Sequence, residues 1–138
     1  VYGNGGLDTS IAVSLFNPNI YSPPNKKSFK WGQIITGNEY NAYVGLVADK
    51  AENPDVENHE AKIKFYDDTG FISEESFLIK NRSAKVLEFP KFITSISDHA
   101  MNEPKSIWCI VESEKHGLNF FSVTHSKESN HCSGDHGF

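Results

Sequence analysis

Apolar and polar residues alternate along most of this chain, and a period of two marks a strand with one buried face. Leu7, Thr9, Ile11, Val13 and Leu15 share one face of a first strand, Leu7–Phe16, which Asn17-Pro18 ends because proline has no N–H for a ladder. Phe29–Ile35, Asn41–Ala48, Ala61–Tyr66, Phe71–Lys80 and Ala84–Phe89 repeat the pattern. Asp67-Asp68-Thr69-Gly70 has the composition of a hairpin turn. Ile107–Ser113 and Leu118–His125 read as a closing hairpin across Glu114-Lys115-His116-Gly117. Only Pro90–His99, with Phe92, Ile93 and Ile96 at helical spacing, suggests a helical turn. Tyr21–Ser28 and Asp49–His59 are polar loops. The pattern predicts an all-β fold: an antiparallel β-sandwich or flattened barrel of about seven to nine short strands with at most one short helical turn. Residues 1–138 are read as a single domain, with a loose start over 1–6 and a histidine-rich tail over 126–138.

Composition supports strands. Ten Phe, five Tyr and two Trp against one Met favour an aromatic β core. The net charge is −5, and no run of Lys or Arg exceeds two residues. That argues against nucleic acid and against an anionic membrane surface, since both need clustered positive charge. No apolar run approaches the roughly 20 residues of a spanning helix. A soluble protein is expected, with the cytoplasm slightly favoured over secretion. The acidic loop, with Asp49, Glu52, Asp55 and Glu57, lacks the glycine and terminal glutamate of a helical calcium loop.

The tail concentrates candidate chemistry. His125, Glu128, His131, Cys132, Asp135 and His136 carry the donors that zinc or iron takes. The ordinary reading of the same residues is a polar tail bonded to strands or to water. No motif requires a cofactor. Cys132 beside His131 is a poor nucleophile pair, because neighbours on an extended chain diverge. Cys109 and Cys132 permit one disulfide or two free thiols, Cys109 lying in an apolar strand where a buried thiol is ordinary.

The aromatics offer a different site. An exposed ring can stack on the apolar face of a sugar. Trp31, beside Lys30 and Gly32, reads as open, and Tyr21, Tyr40 and Tyr43 could join it in a groove for a protein or carbohydrate. Trp108, flanked by Ile107 and Cys109, is expected in the core.

One stretch has a familiar layout. Ile-Lys-Phe-Tyr-Asp-Asp-Thr-Gly, then Ser-Phe-Leu-Ile-Lys, then a turn with Arg82 and Ser83 into Ala-Lys-Val-Leu-Glu-Phe, followed later by Ile-Trp-Cys-Ile-Val-Glu-Ser and Leu-Asn-Phe-Phe-Ser-Val-Thr-His, resembles the small β-sandwich of the sensory rhodopsin transducer family. The resemblance implies a soluble, non-enzymatic, oligomeric adaptor that binds a partner. It carries over no functional residue. The expected function is therefore a non-catalytic binding or adaptor module for a protein or glycan, assembled as a homo-oligomer. Two alternatives stand beside it: a zinc or iron protein built on the tail, and an extracellular structural subunit with a Cys109–Cys132 bridge.

Overall fold

Strand alternation sets the fold. The computed structural model describes residues 2–4, 27–48, 57–91, 102–115 and 117–137. They form β1 (Tyr2–Asn4), β2 (Ser28–Thr36), β3 (Tyr40–Ala48), β4 (Asn58–Asp67), β5 (Gly70–Lys80), β6 (Ser83–Phe89), β7 (Lys105–Ser113), β8 (Leu118–Ser126) and β9 (His131–His136), with no helix among the described residues. One sheet has five strands in the order β1-β9-β8-β3-β6, and the other has four in the order β2-β7-β4-β5. Every pairing is antiparallel. The two sheets stack as an open sandwich rather than closing into a barrel. The first predicted strand, Tyr21, most of the acidic loop and most of the predicted helical turn lie outside the described residues.

The inner faces follow from period two. Val44 and Leu46 of β3, Leu118 and Phe120 of β8, Ile63 and Phe65 of β4, and Ile107, Cys109 and Val111 of β7 form one cluster, each at most 2% exposed. Each large apolar side chain buried this way contributes about 1.5–3 kcal/mol. His59 is also fully buried; it belongs to β4 rather than to the acidic loop.

Two segments depart from the local reading. β7 and β8 are not a hairpin: β7 pairs with β2 and β4, while β8 pairs with β3 and β9. The connection after Ser113 crosses from one sheet to the other, so both strands turn their apolar faces into the same core. The tail is not a loose appendage either. His131–His136 is a strand, held between β8 and β1. Gly134 makes this possible. A Cβ there would lie 2.9 Å from the carbonyl oxygen of Ser122, so the close approach of β9 to β8 requires glycine.

The β4–β5 hairpin is pinned by Asp67. Its carboxylate accepts hydrogen bonds from the Thr69 hydroxyl at 2.6 Å, the Thr69 N–H at 2.8 Å and the Gly70 N–H at 3.2 Å. The Thr69 side-chain bond is the main reason its pKa falls below the usual carboxylate range, helped by the backbone donors and by Lys105. The folded chain thus releases this proton more readily than the unfolded chain. The contribution is present above about pH 4 and is lost as the pH falls through the lowered value. Urea unfolding of Asp67→Asn should show a flatter acid-side decline than the parent. An identical pH profile would count against this role.

Candidate ligand-binding face

The outward residues of the four-stranded sheet form a grid that the register defines. In one row Phe29 of β2 stands beside Glu112 of β7 and Lys62 of β4. In the next, Trp31 stands beside Ile110 and Lys64, with Glu74 of β5 following. In the third, Gln33 stands beside Trp108 and Tyr66, with Phe71 following. Ile35 ends the face on β2.

The aromatics are solvent-facing. Phe29 is 57% exposed, Trp31 42%, Trp108 43%, Ile35 39% and Phe71 61%. Trp31 and Trp108 pack together with centroids 5.7 Å apart and planes inclined by 40°. Tyr66 and Phe71 meet edge to face at 5.6 Å. Phe71 reaches this face through a β-bulge. Phe65 pairs with Ser73 but Tyr66 pairs with Phe71, so Ile72 is the extra residue and Phe71 is turned outward beside Tyr66. Ile72 packs instead against the core.

The rest of the face is charged but internally balanced. Lys64 bonds both carboxylate oxygens of Glu112 at 3.1 Å, Lys62 lies 3.4 Å from Glu74, and Lys27 lies 2.8 Å from Glu114. The Glu112 hydrogen bond is the main cause that lifts the Lys64 pKa above the ordinary lysine range. Exposed pairs of this kind add little stability; they matter here as fixed donors and acceptors. A cleft of about 410 Å³ opens at this end between Phe29, Glu60, Lys62, Glu112 and Glu114.

The predicted groove is divided. Trp31 is on this face. Tyr40 and Tyr43 belong to β3 in the opposite sheet, and Tyr43 points to the outer side there. The core lies between Trp31 and Tyr43. Tyr21 lies outside the described residues. Trp108, expected in the core, is instead half of the exposed pair. Its neighbours Ile107 and Cys109 are buried because they are one residue away on a strand, which is the reason Trp108 is not. Strict alternation of Ile107, Cys109 and Val111 is the signal that finds it.

The tail residues are spread along β8 and β9. His125 lies on the outer side of the five-stranded sheet, Nε2 at 2.9 Å from Asn130 Oδ1 and Nδ1 at 3.4 Å from Asn41 Nδ2. With the amides so placed, Nε2 donates to Asn130 and Nδ1 accepts from Asn41. Cys132 stands opposite His125 in register, and His136 opposite Phe121. His131 and Asp135 are exposed, an odd number of residues from Cys132 and thus on the other side of β9. Glu128 is exposed in the turn before β9. Among the described residues no three His, Cys, Asp or Glu side chains are grouped to hold a metal.

Both cysteines are free thiols, so the expected alternative with a Cys109–Cys132 bridge is corrected. Cys109 lies inside the sandwich on β7 and Cys132 in β9 of the other sheet. Burial alone pushes the Cys109 thiol far above its usual range. A thiol reagent should therefore modify Cys132 quickly in the native protein and Cys109 only after unfolding, with intact mass unchanged by reduction. Equal native reactivity of the two would contradict the placement of Cys109.

No family model matches the chain, and no curated protein and no solved structure shows significant similarity to it.

Proposed function

We propose that the protein is a non-catalytic binding module that docks its ligand on the outer face of the four-stranded sheet. The exposed Trp31–Trp108 pair, extended by Phe29, Ile35 and Phe71, carries this reading. Rings this exposed add little to the core. At these exposures they amount to roughly 500 Å² of contiguous apolar surface, within the range where the largest patch of a monomer is often functional. The bulge that turns Phe71 outward supports the same reading, because bulges re-aim side chains beside sites. The resemblance to the sensory rhodopsin transducer family implies the same class, a partner-binding β-sandwich without catalysis.

Ligands found on glycan and peptide arrays would be mapped by amide and indole chemical shifts. The expected map centres on Trp31 and Trp108. Each alanine substitution there should weaken binding roughly thirtyfold, as for a buried aromatic anchor, while Tyr43→Ala on the opposite face leaves it unchanged. A map centred on the five-stranded sheet, or chemical conversion of the bound ligand, would overturn the proposal.

A further inference from the structure

We infer that the occupant of this face is a neutral, linear glycan chain, an inference that rests on the binding-module reading above. The aromatics do not form a round patch. From Phe29 they step to Trp31 on the same strand, then across to Trp108, Tyr66 and Phe71. The stripe runs obliquely over the strands for about 20 Å, given the spacing of strands and of alternate residues. That is the length of a short oligosaccharide.

Shape argues against a globular partner, a second copy of this chain included. A stable protein interface gathers its apolar groups into a compact core inside a polar rim, whereas these rings follow a narrow line with ion pairs along its flank. Backbone chemistry argues against a peptide. β7 and β4, which carry Trp108 and Tyr66, are paired on both sides within the sheet. An extended peptide lying across them could not be held by strand addition, the mode in which main-chain hydrogen bonds supply the affinity. A sugar ring differs. It presents C–H groups to the negative face of an aromatic ring, and its hydroxyls project sideways, where they can stay solvated or bond to side chains.

The flanking groups suit those hydroxyls. Lys62, Lys64, Glu74 and Glu112 border the stripe as paired ammonium and carboxylate groups, and Gln33 adds an amide. Together they supply both donors and acceptors with little net field, which matches a polyhydroxylated ligand without charge. The tilt of the tryptophans narrows the class further. Planes inclined by 40° cannot both lie flat on one planar surface. They fit a soluble chain whose successive rings turn, rather than a crystalline polysaccharide face.

The test is calorimetric titration of the full chain with cello-, laminari-, manno-, xylo- and chito-oligosaccharides, from disaccharide to hexasaccharide. At least one series should bind, with affinity that rises with length and is unchanged from low to high salt. Trp31→Ala and Trp108→Ala should each weaken the hexasaccharide at least tenfold. Phe71→Ala, at the far end of the stripe, should weaken the hexasaccharide while sparing the disaccharide. All three side chains are exposed, so the variants should fold, and circular dichroism verifies this. Absence of binding by every series at about 1 mM would overturn the inference. So would binding confined to microcrystalline cellulose. A protein, or a second copy, released by the same tryptophan substitutions would overturn the glycan and leave the binding module standing. Glycan binding indifferent to all three substitutions would remove both.

Discussion

Replacing Phe120 by alanine should lower stability by about 3–5 kcal/mol, at the upper end of what a buried aromatic costs. Phe120 is 1% exposed and fills a notch between two glycines. On one side is Gly32 of β2, where a Cβ would fall 2.6 Å from Phe120 Cε1. On the other is Gly137, whose Cβ would collide with the same ring and whose N–H donates to the Phe120 carbonyl at 2.6 Å. Neither glycine has a side chain that could relax into the void. The converse follows. Gly32→Ala should cost about 1–3 kcal/mol by overpacking, and much less once Phe120 is already alanine. A urea double-mutant cycle measures this directly. Additive losses, or a Phe120→Ala loss below about 1 kcal/mol, would mean that the ring is not wedged as described.

The second large effect is expected at Phe65. It is fully buried on β4, and its ring lies 5.3 Å from that of Phe89 on β6, tilted by 46°. These strands belong to different sheets, so the pair joins the two layers directly. Phe65→Ala should also cost about 3–5 kcal/mol. Part of it, about 0.5–1.5 kcal/mol, should appear as coupling with Phe89→Ala, since that much belongs to the ring pair beyond burial. Against a typical total of 5–15 kcal/mol, either variant should unfold at far lower urea. A cycle without coupling would leave the ring geometry without energetic content.

The sequence showed its strands well and their partners poorly. Period two places Ala61, Ile63 and Phe65 inside and predicts a sandwich or flattened barrel, because alternation is a local property of one strand. Pairing is not local. Glu114–Gly117 has the composition of a turn whether it closes a hairpin or arches between sheets. Both strands beside it alternate equally well in either case, so their separation could not be read. The tail conceals its strand for a related reason. Ser133-Gly134-Asp135 looks like a turn, and only the approach of β8 shows that Gly134 is there to admit a neighbouring backbone. The candidate face was half legible. Trp31 stood out through its polar neighbours. The apolar neighbours of Trp108 suggest the core, whereas the alternation of Ile107, Cys109 and Val111 places it outside, and Phe71 depends on a bulge that pairing alone creates. His131 and Asp135 are close to Cys132 in sequence, yet a strand sends them to its other side.

The Trp31–Trp108 pair has a practical consequence as well. They are the chain's two tryptophans, and both stand on the outer face of the four-stranded sheet. All intrinsic indole emission therefore originates at the proposed docking surface and none in the core. Two indoles this close also couple their electronic transitions, which gives a paired band in the far-ultraviolet dichroism that disappears when either is replaced. The protein thus carries its own optical probe. Its emission reads occupancy of one face, while the dichroic couplet reads the mutual orientation of the two rings.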